Sequence, residues 1–190
     1  MRYPLVLIQY SNNRNTLAMA TPNQQNLVDS NKVYASNFTK GDLALPPAKQ
    51  YAVVTCMDAR IDPAAAFGID LGDAHVIRNA GASAQDALRN LVISQQLLGT
   101  KEIILIKHTG CGMLTFENQQ ATELVRKNLG EEGVKAIAEG FGGQFLPFSD
   151  LDEKVREDVV WLEKNKAIAE GVKISGWVYE VETGKVRSVK

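Results

Sequence analysis

Two short, largely apolar runs, Tyr51–Thr55 and Ile103–Ile106, flank a segment with helical spacing, and each run ends on residues capable of chemistry. That order constrains the fold more than any other feature of the chain. Ile103–Ile106 is apolar at every position, as a strand covered on both sides of a sheet must be. Ala74–Arg78 reads as another strand, bounded by Gly72-Asp73 and Asn79-Ala80-Gly81. Ser83 through Leu98 then carries Leu88, Leu91, Val92, Gln95 and Leu98 at helical intervals and stops at Gly99. Strand, crossover helix, strand is the unit that builds parallel sheets. The predicted class is α/β, with a central, mostly parallel sheet flanked by helices in a single domain. Ligands of such sheets gather beyond the carboxyl ends of the strands.

At 190 residues the chain is large enough for one well-packed domain. Residues 1–25, rich in Asn and Gln, read as an amino-terminal extension, and 26–190 as the domain. A helix is expected over Asn26–Thr39, with Leu27, Tyr34 and Phe38 on its apolar side, and Pro46-Pro47 ends any helix before the first strand. Further helices are expected over Glu117–Asn128 and Asp152–Glu170. The segment between them, with Gly140, Gly142, Gly143 and Pro147, should be irregular. Lys173–Val181 alternates toward a strand, and Thr183-Gly184 suggests a turn into a short last one.

Composition matters mainly for what it argues against. A net charge of −1 gives no reason to expect nucleic acid or an anionic membrane as a partner. No apolar run approaches the roughly 20 residues that cross a bilayer. The first 28 residues contain no acid, which resembles a mitochondrial presequence, but Arg2 and Arg14 are few for one and Met19 is an alternative start. Cytoplasm is the expected location, with the mitochondrion as the alternative.

The chemistry sits at two strand ends. Cys56-Met57-Asp58-Ala59-Arg60 follows the first run and His108-Thr109-Gly110-Cys111-Gly112 the second. Adjacent parallel strands would bring Cys56 to His108 and Cys111, which local sequence cannot do. Two thiols and an imidazole are a ligand set that borderline-soft zinc prefers, and three protein ligands leave a fourth position for water or substrate. A disulfide between the two cysteines is the competing reading. Nothing resembles a secretory signal, so a reducing compartment is expected and metal binding gains weight.

Two thiolates offset the charge of Zn²⁺, so the metal would be a weaker Lewis acid than one held by three histidines and would need help from its neighbours. On an extended stretch, positions 56, 58 and 60 share a face. Asp58 could then reach the metal or its water, with Arg60 clamping the carboxylate through charge-assisted hydrogen bonds. Asp58 has two roles open to it. It can ligate the metal in a closed resting state, or pair with Arg60 and orient the nucleophile; a purely structural ion pair is the plainer alternative. Ala80, Gly81 and Gly112, with Gly110, leave room for backbone N–H groups to approach a small substrate, although turn geometry alone would also explain such residues. His75, the only other histidine, reads as packed and hydrogen-bonded rather than as a ligand or proton shuttle.

Cys56-Met57-Asp58-Ala59-Arg60, Gly72 through Gly81 and His108-Thr109-Gly110-Cys111-Gly112 together resemble the β-class carbonic anhydrases, most of all their small, archaeal-like branch. The resemblance runs from about Asn26 to the carboxyl terminus. It implies zinc held by Cys56, His108 and Cys111, an Asp58–Arg60 catalytic dyad, and an obligate homodimer that can pair into a tetramer. The implied reaction is attack of zinc hydroxide on CO₂ to give bicarbonate. Two positions depart from the branch: Gly110 stands where many members carry an acid, and Lys107 where many carry histidine. Enzymes resembling carbonyl sulfide hydrolase use the same scaffold, so carbonyl sulfide is the alternative substrate. A zinc-stabilised binding protein without catalysis is the third reading; such a chain would be expected to lose Asp58, Arg60 or a ligand, and none is lost.

Overall fold

The protein is described by a computed structural model that places residues 21–190. Most of the extension expected over 1–25, and the alternative start at Met19, lie outside the described residues. The described residues fall into two units, 21–43 and Ala44–Lys190.

In the first unit, helix α1 spans Pro22–Ser36. It begins ahead of the expected Asn26 because Thr21-Pro22 is itself a start signal. Thr21 Oγ1 accepts the Gln24 N–H, Gln24 Oε1 accepts the Thr21 N–H, and Pro22 gives up no hydrogen bond at the first position. Leu27, Tyr34 and Phe38 are all exposed.

The second unit is built on five strands: β1 (Tyr51–Cys56), β2 (Ala74–Asn79), β3 (Glu102–His108), β4 (Lys173–Glu180) and β5 (Lys185–Ser188). They form one sheet in the order β2-β1-β3-β4-β5. The first four are parallel, and β5 runs antiparallel to β4 after the turn at Thr183-Gly184. Helices α3 (Ala84–Gln96) and α5 (Leu151–Lys164) are capped by Ser83 and Asp150, whose side chains accept the N–H groups of Asp86 and Glu153. Both cover the same side of the sheet, where Ala52, Val54, Ile103 and Leu105 pack against Leu91, Val159 and Leu162. The other side carries Val53, Ile69 and Ile106, with Tyr51, Phe67, Ile104 and Trp177 less deeply buried. A shallow apolar depression of about 150 Å³ remains there.

Three stretches differ from the sequence expectation. Helix α2 (Pro63–Phe67) was not anticipated, although Asp62 caps it, Pro63 opens it and Gly68 closes it in the left-handed region. Helix α4 runs from Asn118 to Phe141, well into the stretch expected to be irregular. Gly130, at φ +71° and ψ −170°, interrupts it, so the helix expected over Glu117–Asn128 is only its first half. Helix α5 ends at Lys164 rather than Glu170, because Asn165 turns extended and its side chain accepts the Ala167 N–H at 2.9 Å.

Parallel pairing sets what meets at the carboxyl edge. Thr55 lies opposite Ile106, and Cys56 opposite Asn79. The ends of β1 and β3 and the turn after β2 therefore converge at one place.

Candidate metal centre

β1 ends on Cys56 and β3 on His108, and Cys111 follows within a tight turn. All three side chains are buried, and their ligand atoms lie within 4.8 Å of one another. Both thiols are free. His108 Nδ1 donates to the Thr109 carbonyl at 2.9 Å, which fixes the tautomer and leaves a lone pair on Nε2. That Nε2 is buried and has no hydrogen-bond partner. A buried polar atom without a partner is costly, and a metal ion on it would remove the cost. The donor set and this orphaned nitrogen together fit a soft-to-borderline divalent cation.

Backbone amides serve the two sulfurs. The backbone N–H groups of Asp58 and Gly81 favour the thiolate form of Cys56, and that of Met113 favours the thiolate form of Cys111. The two thiols also act on each other. The neighbouring Cys111 thiol holds Cys56 well below the ordinary thiol value, and the same proximity, with burial, pushes Cys111 up. A divalent cation would favour the thiolate form of both.

Asp58 and Arg60 meet, but not as an extended stretch would bring them. β1 has already ended, and the chain turns so that the Ile61 N–H bonds the Asp58 carbonyl at 3.1 Å. Asp58 Oδ1 accepts both the backbone N–H and Nε–H of Arg60 at 2.9 Å, while Oδ2 accepts Nη2–H at 2.7 Å. The pairing is made by a turn whose own backbone helps to clamp the carboxylate. Arg60 holds Asp58 well below the usual carboxylate range. Arg60 Nη2 also reaches the Gly110 carbonyl at 3.0 Å, which ties the β1 turn to the β3 turn. Asp58 Oδ2 stands 3.8 Å from His108 Nε2. The clamped carboxylate thus borders the space where the three ligand atoms converge.

The remaining expected residues fall around this centre with different assignments. Ala80 packs against the cluster of Cys56, Cys111 and Met113, and Gly112 opens the short turn after Cys111. Gly81 is buried, and its backbone N–H favours the thiolate form of Cys56. His75 lies away from the site, opposite Ala52, with Nδ1 2.7 Å from Ser94 Oγ, and that hydroxyl is 2.7 Å from Thr100 Oγ1. It is a packed, hydrogen-bonded histidine.

Two sets of supporting contacts, those of Thr109 and of Lys107, have no counterpart in the sequence reading. Thr109 locks the ligand turn to the end of β4: its N–H donates to Tyr179 O at 3.0 Å, and its hydroxyl donates to Glu182 Oε2 at 2.6 Å. Lys107, directly before the ligand histidine, is fully buried and paired with Asp158 at 2.9 Å. Burial pulls its ammonium below the ordinary lysine value, and Asp158 opposes the pull. The available signals were a lysine closing an apolar strand and an aspartate set in the apolar stripe Val155, Val159, Leu162.

Comparison with known proteins agrees with this geometry. The family model described as carbonic anhydrase matches residues 51–186. Beta-carbonic anhydrase 1 of Mycobacterium tuberculosis is 42% identical over 161 residues, covering 84% of this chain and 93% of the relative. A carbon disulfide hydrolase of Acidithiobacillus thiooxidans is 33% identical, covering 76% of this chain and 79% of the relative. Among solved structures, carbonic anhydrase from Glaciozyma antarctica superposes with a TM-score of 0.84 at 47% identity, covering 90% of this chain and all of that one. The chain belongs to the β-carbonic anhydrase family of enzymes, which has carbon disulfide hydrolases among its near relatives.

Proposed function

We propose that the protein hydrates CO₂ to bicarbonate, with zinc held by Cys56, His108 and Cys111. The observation that carries this reading is the Asp58 carboxylate, clamped by three hydrogen bonds from Arg60 and 3.8 Å from the orphaned His108 Nε2. Zinc held there by Cys56, His108 and Cys111 would acidify a bound water to serve as the nucleophile, with help from its neighbours. Asp58, kept ionised by Arg60, accepts a hydrogen bond from the attacking oxygen and so orients its lone pair toward carbon. The Arg60 clamp also draws the carboxylate away from direct ligation, which would close the site. Ala80 and Gly112, small and beside the ligands, leave room for a linear triatomic. Met113, Phe116 and Phe148 pack into the same cluster as the two cysteines, so the ligands stand among apolar side chains.

Those apolar neighbours favour a second reading, hydrolysis of carbonyl sulfide to CO₂ and H₂S, as does Gly110 in the place of an acid. The relative named carbon disulfide hydrolase shows that near kin act on a sulfur-containing triatomic. The higher identity and coverage of the carbonic anhydrase relative support the CO₂ reading over this one.

We further propose a homodimer, able to pair into a tetramer. The exposed apolar residues of α1 and the depression lined by Val53, Ile69 and Ile104 are surfaces that a second copy would cover.

The decisive experiment is a pair of steady-state assays on the zinc-loaded protein, CO₂ hydration against sulfide release from carbonyl sulfide. A dominant kcat/KM for CO₂ supports the first reading, and the reverse ratio replaces it with the second. Asp58→Ala should lower turnover by about 10²–10⁴-fold while zinc content stays near one per chain. Silence of the wild type in both assays, at neutral and raised pH, leaves a zinc-binding protein without this chemistry.

A further inference from the structure

Lys107 carries an ammonium group into the interior with only 1% of its side chain exposed. Its three protons have three acceptors: Asp158 Oδ2 at 2.9 Å, the Gly81 carbonyl at 2.8 Å and the Ala82 carbonyl at 3.0 Å. The Phe148 ring lies 5.2 Å from the nitrogen. Asp158, itself buried, takes Lys154 on its other oxygen at 3.1 Å. Packing alone does not ask for such a group, since an apolar pair of similar volume would fill the space without desolvating two charges.

What the ammonium holds is the turn that closes β2. Gly81 and Ala82 both sit in the left-handed region, at φ +68° and +52°, which is unfavourable for Ala82 and persists only when the surroundings impose it. Asn79 clasps the base of the turn, its Oδ1 accepting the Ser83 N–H at 2.7 Å and its Nδ2 donating to the Ser83 carbonyl at 2.9 Å. The Met57 N–H bonds the Asn79 carbonyl at 2.9 Å, joining the turn to the strand that carries Cys56. Met113 and Phe148 close over Gly81, where an added Cβ would lie 2.7 Å from Met113 Cγ. The carbonyls of this turn accept from Lys107, and the turn follows Asn79, which lies opposite Cys56 in the sheet, with Ala80 packed against the cysteine cluster.

We infer that Lys107 is a positioning residue for the metal centre: anchored by Asp158, it fixes the Gly81 and Ala82 carbonyls and thereby aims the Gly81 N–H at Cys56. The inference rests on the reading of Cys56, His108 and Cys111 as metal ligands. An N–H···S bond withdraws electron density from a thiolate, so the pair tunes a ligand it never touches. Outer partners of this kind hold ligand geometry and metal affinity.

The test uses the full-length, isotope-labelled protein loaded with NMR-active cadmium, in which an amide proton bonded to a metal-bound sulfur shows scalar coupling to the metal. The Gly81 amide should show that coupling in the wild type. It should lose it in K107M/D158L, where an apolar pair replaces the charges, and weaken in the milder K107Q. Zinc affinity of the double variant, by chelator competition, should fall about 10–100-fold. Its melting temperature should stay within about 5 °C of the wild type, separating positioning from stability. The inference is overturned if the wild-type Gly81 amide shows no coupling while those of Asp58 and Met113 do. It is equally overturned if any folded variant keeps both the coupling and wild-type zinc affinity. Failure of the wild type to bind zinc or cadmium would instead sink the ligand reading on which the inference stands.

Discussion

Lys107 and His108 are consecutive residues of one strand, both fully buried, with side chains on opposite faces of the sheet. Lys107 faces helix α5 and spends every proton on an oxygen. His108 spends one nitrogen on the Thr109 carbonyl and leaves the other without a partner, facing two thiols and a clamped carboxylate. Burial alone would rank the two alike. Completeness of hydrogen bonding separates them: the satisfied polar group stabilises and positions, and the unsatisfied one marks where something binds.

The largest expected effect breaks this comparison directly. Replacing His108 with Ala, or Cys56 with Ser, should lower zinc affinity by more than the roughly 10–100-fold seen for outer partners. Metal analysis after gel filtration, with chelator competition, reads it. A variant that keeps stoichiometric zinc at wild-type affinity would put the metal elsewhere.

On the Lys107 side the expected loss is in stability. Asp158→Ala leaves a buried ammonium facing two carbonyls without its counter-ion, and a half-removed buried pair costs about 3–5 kcal/mol. Urea unfolding of the wild type and variant measures it. A loss below about 1 kcal/mol would mean that Lys154, or water entering the gap, replaces the carboxylate.

The legible and illegible parts of the sequence divide along the same line. Strands β1 and β3 could be read because their apolar runs are short and uninterrupted, and the ligands because Cys and His close those runs. Pairing of parallel strands then supplied the proximity that Cys56 and His108 lack in sequence. The Asp58–Arg60 contact was expected for an incorrect geometric reason, since a strand and a tight turn can both bring positions two apart together. Helix α2 was missed for its brevity, and the second half of α4 because Gly140, Gly142, Gly143 and Pro147 read as breakers of the whole stretch although Glu131–Phe141 continues the helix. Lys107–Asp158 was illegible because a charge at the end of an apolar strand ordinarily faces solvent. Only the packing of α5 onto β3 puts the aspartate opposite it.

A smaller effect sharpens the comparison at two glycines of almost equal φ. Gly68 (+64°) closes α2 with nothing near the position of an added Cβ, whereas Gly81 (+68°) has Met113 Cγ at 2.7 Å and Phe148 Cε1 at 3.2 Å. Gly68→Ala should cost about 1 kcal/mol through backbone strain alone. Gly81→Ala adds overpacking, of about 1–3 kcal/mol more, and should also weaken zinc binding. Equal losses at the two sites would show that Met113 yields freely and that the turn is not held as tightly as its contacts indicate.

The smallest effect concerns an ion pair with the geometry of a strong one and the exposure of a weak one. Arg187 on β5 grips Asp152 in the first turn of α5 through two bonds, at 2.8 and 2.6 Å, with the side chains 42% and 34% exposed. Those bonds hold the Asp152 carboxyl below its ordinary range. A carboxylate whose pKa is depressed by folding stabilises the fold above its unfolded value, near 4, and loses that contribution as pH falls through the lower folded value. Asp152→Asn should therefore destabilise the protein by no more than about 1 kcal/mol at pH 7, since solvent screens the pair. The gap between the two proteins should hold from about pH 7 to 5 and close below about pH 4, and added salt should narrow it at every pH. Urea unfolding across that range decides it. A gap that persists undiminished at low pH would mean that Asp152 contributes through uncharged contacts in the first turn of α5 rather than through its charge.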